Sequence, residues 1–336
     1  MPKFDVTLVG EANSDLLLYG LPEDLPPERE LLANKMALLL GGSPAITAHN
    51  LAALGSRVGF ITSTAGDVFA QLCLQDLAHA GVDLSCIVRA PAGISTGITV
   101  FLQHATFRRA LTYPGTTTTL RFSDLNLDYL KSSRHFHLSS LFLQRELAND
   151  VPRLFADLKA AGLTISLDTN DDPDGLWAGP LEEALHYVDI LMPNEQEACA
   201  LADTSNVDEA IEKLAKRVPL LVLKRGARGA LVQSGNERYI AAALDVAFVD
   251  AVGAGDSFNA GFLHAYVHGM RLERCLEFGN LAGALSTTAI GGTTAFRNRE
   301  VSKHFFGEHL SKRANGSSVA RIQQPHVSQN APDLLR

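Results

Sequence analysis

This sequence predicts an α/β fold with a doubly wound, mostly parallel sheet and a small β lid. Two observations point to it. Short β-like runs alternate with helical ones for most of the 336 residues. Several of those runs are apolar at nearly every position, as strands covered on both faces by helices require. An open sheet of this kind binds ligands at the carboxyl ends of its strands.

In chain order, "FDVTLVG" is the first strand. The strand is expected to end in Asn13 and Asp15, which have one residue between them. Their side chains then point the same way and can grip adjacent hydroxyls of one ligand, or they simply form a turn. "DLLLYGLPEDLPPERELLANKMALLL" breaks the alternation. "GGSPAITAHNLAALG" is a glycine turn opening a helix, with Ser43 as N-cap and Pro44 in the first helical position. Gly41 and Gly42 there serve either an ordinary helix entry or a close approach of backbone to ligand.

"RVGFITSTA" is the next strand. Within "STGITVFLQHATFRRALTYPG", β-branched residues alternate about a polar turn, which reads as a hairpin. The two interrupting segments, about 14–40 and 95–116, leave strand ends of the sheet, where a lid would hang. "HFHLSSL", "LTISLDTN", "VDILMPN", "LLVLKRG" and "GALVQSG" supply further strands. Helices are expected over Glu146–Ala161, Val207–Arg217 and Asp256–His268. The domain is expected to span 1–311. The remainder, 312–336, is rich in Ser, Asn, Gln and Pro without periodicity, and a disordered tail is expected there.

Composition excludes several classes. A formal charge of −8 argues against a general nucleic-acid or anionic-membrane binder. No apolar run approaches the roughly 20 residues that span a bilayer, and no signal peptide is evident, so a cytoplasmic protein is expected. Cys73, Cys86, Cys199 and Cys275 lack C-x-x-C spacing and read as reduced thiols. Neither G-x-x-x-x-G-K-[ST] nor an early G-x-G-x-x-G is present, so a nucleotide would be held by another device.

That device is expected at "VDAVGAGDSFNAGFL". Gly253 and Gly255 permit a tight turn into a helix whose first N–H groups are free to meet an anion. The turn ends in a carboxylate, Asp256, which reads either as an N-cap or as a catalytic group. Asn194 and Glu197, three apart in "PNEQEA", read as a capping box or as ligand-positioning groups. His135 and His137 alternate on an apolar strand and read as satisfied interior groups, and Trp177 as loop packing.

"DAVGAGDSFNAGF" resembles the strongest signature of the ribokinase-like (PfkB-type) carbohydrate kinases, Asp-x-x-Gly-Ala-Gly-Asp followed by Ser/Ala-Phe. "GGSPAITAHNLAALG" is similar to their amino-terminal glycine signature, and "PNEQEA", "LKRGARGA" and "NLAGALSTTAIGG" match in kind and order, over about Val6 to Phe296. The resemblance implies ATP-dependent phosphorylation of a sugar or nucleoside hydroxyl. It implies Asp256 as general base, with backbone N–H groups of Gly253, Ala254, Gly255 and Asp256 as anion hole. Base and donors would serve different atoms: the acceptor hydroxyl and the arriving phosphoryl group.

It further implies Asn13, Asp15, Gly41 and Gly42 around the sugar, and Asn194 and Glu197 positioning Mg²⁺ through water. Gly226 and Gly229 fall in the nucleotide loop, and Asn280 lies where adenine packs. Lys224 replaces a common hydroxyl residue and could reach a phosphate. Asp250, Val252 and "AIGG" are candidates for K⁺ through backbone carbonyls. A homodimer through lid strands is the implied assembly.

Two departures bear on substrate. Ile46 stands where an Asn often contacts sugar. In "DTNDDPDGLW", Asp168 and Asn170 precede Asp171 and Asp172 with no Arg, which would repel an anionic substrate; Arg108 in the lid acts the other way. A neutral sugar such as ribose or fructose is therefore expected. The alternatives are a nucleoside kinase of the same family or a non-catalytic sugar or nucleotide sensor. A hydride-transferring enzyme is disfavoured by the missing dinucleotide fingerprint.

Overall fold

Apolar strands sandwiched between helices form the centre of the main sheet. A computed structural model describes residues 2–104, 107–313 and 319–323. Its central strands are β1 (Phe4–Val9), β4 (Val58–Ile61), β9 (Ser133–Ser139), β10 (Thr164–Asp168), β11 (Ile190–Leu191) and β12 (Leu220–Lys224). All are parallel, in the spatial order β4-β1-β9-β10-β11-β12. Three antiparallel strands continue the sheet beyond β12: β13 (Ala230–Ser234), β14 (Glu237–Ala241) and β15 (Val319–Gln323).

Side chains alternate between two cores, as the strand period of two demands. Val6, Leu8, Ile190 and Val222 face one core. There they meet helices α1 (Ser43–Ala53), α2 (Val68–Ala80), α8 (Ala254–Val267) and α9 (Leu272–Ser286). Val9, Leu167, Leu191 and Leu221 face the other. That side is covered by α3 (Leu127–Lys131), α4 (Val151–Ala160), α5 (Leu181–Ala184), α6 (Glu195–Leu201) and α7 (Val207–Leu214). A final helix, α10 (Arg299–Arg313), packs on α9 through Phe306. Helices α8 and α9 lie in close contact because Gly261 has no side chain; a Cβ there would overlap the carbonyl oxygen of Phe278.

The two segments that break the alternation form a second sheet. Its strands are β2 (Asn13–Tyr19), β3 (Lys35–Gly41), β7 (Ile98–Gln103) and β8 (Arg108–Tyr113), in the order β3-β2-β7-β8. β7 and β8 make the expected hairpin. A short pair, β5 (Ser63–Thr64) and β6 (Val88–Arg89), completes the strands. In the main sheet the chain steps from β1 to β4 on one side and to β9 on the other. The order therefore reverses beside the end of β1, and a ligand crevice opens at such a switch.

Some boundaries differ from expectation. Asn13 and Asp15 do not end the first strand. The chain leaves it at Gly10, and these residues begin β2, whose backbone pairs with β3 and β7. The helix expected from Glu146 starts at Val151, next to Pro152, after a 3₁₀ turn at Ala148–Asp150. The expected structureless tail is corrected in part. α10 runs to Arg313, and Val319–Gln323 forms β15 along β14, whose free edge offers unpaired backbone groups to another strand. Residues 314–318 and 324–336 of that segment lie outside the described residues.

Candidate active site

Helix α8 begins two residues earlier than expected, at Ala254, with Gly253 as its N-cap. Gly253 has φ of 73°, in the left-handed region, and a Cβ on it would overlap the Cα of Gly292. Only glycine serves both needs. The Ala254 N–H is engaged by the Ala251 carbonyl at 3.2 Å, and the first intrahelical bond runs from Ser257 N to Gly253 O. Helix geometry leaves the N–H groups of Gly255 and Asp256 without intrahelical acceptors. With the Gly253 N–H, which has no acceptor among the described residues, three of the four expected donors are available to an anion.

Asp256 stands in the first turn of α8, but makes no capping bond to it. Instead its Oδ1 accepts a hydrogen bond from Ser43 Oγ at 2.5 Å. Ser43 is correspondingly not the N-cap of α1; Gly42, with φ of 87°, holds that position. Burial raises the Asp256 pKa to about 6; the Ser43 bond opposes the rise, Asp168 adds to it and Lys224 reduces it.

Lys224 ends β12 and is paired with Asp168 at the end of β10. Asp168 is fully buried, and its Oδ2 also accepts from Asn259 Nδ2 of α8 at 2.6 Å. Burial pulls the Lys224 pKa down, but Asp168 and Glu197 more than offset this and hold the ammonium charged. Glu197 and Asn194 form the capping box: Asn194 Oδ1 accepts from Glu197 N at 2.9 Å, and Glu197 Oε2 accepts from Asn194 N at 2.8 Å. The capping reading of this pair is thus realised. Glu197 nonetheless lies in the field of Asp168, Lys224 and Asp256, and its pKa is pushed to about 7, chiefly by burial.

A cavity of about 400 Å³ adjoins this cluster. Lys224, Gly226, Gly229, Ala254, Gly255 and Asn280 all line it, so the structure brings together every residue expected at the nucleotide. The Asn280 amide donates to the carbonyls of Ala241 and Ala242, fixing its orientation in the wall.

On the other side of Asp256, consecutive residues of the β3–α1 turn meet three carboxylates. A Cβ on Gly41 would overlap the Asp15 carboxylate, and one on Gly42 would come within 3.0 Å of the Glu11 side chain, while Ser43 holds Asp256. Asn13 Oδ1 accepts from Thr117 Oγ1 at 2.9 Å. Glu11, absent from the expected set, is buried and receives Ser140 Oγ at 2.9 Å and Gln144 Nε2 at 2.6 Å. Burial, reinforced by Asp256, raises Glu11 to about 7 and Asp15 to about 8; Arg108 of the second sheet lowers Asp15.

Asp250 and Val252 are both buried. The Asp250 carboxylate ties the segment together, accepting from Val252 N at 3.2 Å and Gly291 N at 2.9 Å. Ile46, in place of a sugar-facing Asn, packs against Gly253 and Gly292. His135 and His137 are buried and share Ser166; both ring nitrogens of His135 are satisfied, as expected, but His137 Nε2 has no partner among the described residues. Trp177 packs edge-on to Phe142. All four cysteines are free.

Sequence reasoning missed Ser43, Asn259 and Glu11 as site residues, and it set Asp168 near the substrate without its pairing to Lys224. Glu11 was within reach, because Glu11, Asn13 and Asp15 continue one alternation. Asp168 was marked by its place at a strand's carboxyl end. Asn259 had no signal, since only the docking of α8 brings it to Asp168.

Among the described residues no three His, Cys, Asp or Glu side chains gather as a metal cage, and no helix is long and apolar enough to cross a membrane. The profile of the pfkB family carbohydrate kinases matches residues 3–299. A fructokinase of Salmonella typhimurium is 28% identical over 298 residues, 84% of this chain and 96% of that protein. A 5-dehydro-2-deoxygluconokinase of Clostridium perfringens is 27% identical over 338 residues, covering 95% and 97%. Among solved structures, one described as Ribokinase II in complex with ATP and Mg²⁺, from E. coli, superposes with a TM-score of 0.80 at 26% identity, covering 91% of this chain and 100% of that one.

Proposed function

Because the chain belongs to the pfkB family of carbohydrate kinases, we propose that it transfers the γ-phosphoryl group of ATP to a hydroxyl of a neutral, ribose- or fructose-like sugar. Asp256 acts as general base. The observation that carries the reading is the setting of Asp256: it does not cap its own helix, and it stands beside the N–H groups of Gly255 and Asp256 and in the field of Lys224. A carboxylate with a pKa near 6 is ionised at neutral pH and still basic enough to take a hydroxyl proton.

The sugar binds between the β3–α1 turn and Asn13, Asp15 and Glu11. Carboxyl groups with pKa values near 7 and 8 can accept from a hydroxyl or donate to it, which suits the hydroxyls of a neutral sugar. The triphosphate lies in the 400 Å³ cavity, with Gly226 and Gly229 along it and adenine against Asn280. Lys224 turns from Asp168 toward the transferring group, adding to the three free N–H donors. Mg²⁺, when bound, neutralises phosphate charge. Glu197 and Asn194 would hold it through water. The carbonyls near Asp250 and Val252 are the candidate K⁺ ligands.

A panel of neutral sugars, nucleosides and sugar acids with ATP-Mg²⁺ tests the substrate class. Asp256→Asn is expected to lower kcat by roughly 10²–10⁴-fold with ATP affinity nearly unchanged. Turnover only on an acidic sugar, or wild-type turnover by the Asn variant, would overturn the reading.

A further inference from the structure

A second cavity, of about 230 Å³, lies on the far side of α1 from the sugar site, among His49, Asp76, His79, Arg297 and Arg299, with Phe296 in its wall. Three features mark it as more than a surface dent. Two guanidinium groups line it, and each is only partly used: Arg297 donates to Asp76 Oδ2 at 2.8 Å and Arg299 to the Ala80 carbonyl at 2.7 Å. A guanidinium has five N–H donors, so each retains several for a ligand.

His49 is the second feature. Its side chain is buried, with 2% exposure, yet it lines the cavity. Its Nδ1 lies 2.8 Å from Asn50 Oδ1. Asn50 spends its amide N–H groups on Ser257 Oγ and the Gly292 carbonyl, both at 2.9 Å, so its Oδ1 must accept. Nδ1 is therefore the protonated nitrogen of a neutral ring, and Nε2 keeps a lone pair with no hydrogen-bond partner among the described residues. Burial and the two arginines hold the ring neutral against the pull of Asp76.

The third feature is the path to the active site. Asn50 holds Gly292, whose Cα sits where a Cβ on Gly253 would fall, against the N-cap of α8. From the other wall, Asp76 holds Thr293 Oγ1 at 3.3 Å. Both walls of the cavity thus grip the strip that supports the anion turn.

We propose that this cavity is a regulatory site for a small hydroxycarboxylate anion. The carboxylate meets the free N–H groups of Arg297 and Arg299, and the adjacent hydroxyl donates to His49 Nε2. A hydroxyl keeps its proton at neutral pH, which supplies the donor that a neutral His49 requires and a fully ionised oxyanion lacks. Occupancy fixes His49, and through Asn50 the Gly292 strip, favouring the turn geometry that binds nucleotide phosphates.

The test is calorimetry on the full chain with malate, and with succinate, which has the same carboxylates and no hydroxyl. Malate is expected to bind with a Kd of about 1 mM or tighter. Succinate is expected to bind at least about tenfold more weakly, since the lone pair of Nε2 would stay unpaired. Arg299→Gln and Arg297→Gln, both at exposed positions, are each expected to weaken malate about tenfold. Saturating malate is expected to tighten ATP about fivefold, and ATP to tighten malate by the same factor.

No malate binding up to about 50 Kd-equivalents of that value, equal affinity for succinate, or unchanged binding by both variants would overturn the site. Malate binding without coupling to ATP would overturn its regulatory role. The malate arms require no phosphoryl transfer, so their failure is separate from failure of the kinase reading.

Discussion

Replacing Ser43 by Ala removes the hydroxyl that donates to Asp256 Oδ1 at 2.5 Å. A hydrogen bond to a charged group contributes about 1.5–3 kcal/mol. This one favours the ionised carboxylate, so its loss raises the Asp256 pKa. One pH unit corresponds to about 1.36 kcal/mol. Water can reach this partly exposed carboxylate and replace some of the bond, which puts the rise near the low end, at about one unit. The acidic limb of kcat/KM should then move from about 6 in the native protein to about 7 in the variant. At pH 6 the ionised fraction falls from about one half to about one tenth, a loss of about fivefold. Above pH 8.5 the two proteins should agree within about threefold, apart from any loss of orientation. The assay is direct quantitation of phosphorylated sugar across pH 5–9, which avoids coupling enzymes with their own pH profiles. A limb that stays in place or moves down would refute the link between Ser43 and the base.

Gly41→Ala should raise KM for the sugar by at least about tenfold while sparing KM for ATP, because the new Cβ would displace Asp15; steady-state kinetics in both substrates checks it. Lys224→Ala strands the buried Asp168 carboxylate and should cost about 3–5 kcal/mol in urea unfolding, with part recovered by adding Asp168→Asn. Stability of the ligand-free protein should change little between about pH 5 and 6 and fall between about pH 6 and 8. Glu11, Asp15 and Glu197 have folded pKa values of about 7, 8 and 7, above their unfolded values, so the folded state holds extra protons and loses stability as pH rises through that range. His135, His137 and His264 are depressed to about 3, 4 and 4, chiefly by burial, so below about pH 6.5 the unfolded state takes up protons and this offsets the gain from the three carboxyl groups. Thermal melts across pH 5–9 that rise steadily with pH would contradict the carboxylate half of this balance.

The sequence by itself determined the α/β class, the second sheet and the turn before α8. Each is written locally: strands of unbroken apolar residues, β-branched alternation around a polar turn, and glycines at a tight helix entry. It also named Lys224, Gly226, Gly229 and Asn280, which line the 400 Å³ cavity, because motif spacing survives folding as position on a loop or helix start. What only the tertiary structure decided is which polar groups answer one another. Ser43 looked like a cap because sequence shows only its own helix, and its partner lies 213 positions away on another. Asp168, Lys224 and Asn259 come from β10, β12 and α8 and become a cluster only when those elements are packed. Local hydrogen bonds, such as the Asn194–Glu197 box, can be read from spacing. The charge state of a buried carboxylate cannot, because it depends on the dielectric and the neighbours that folding gathers around it.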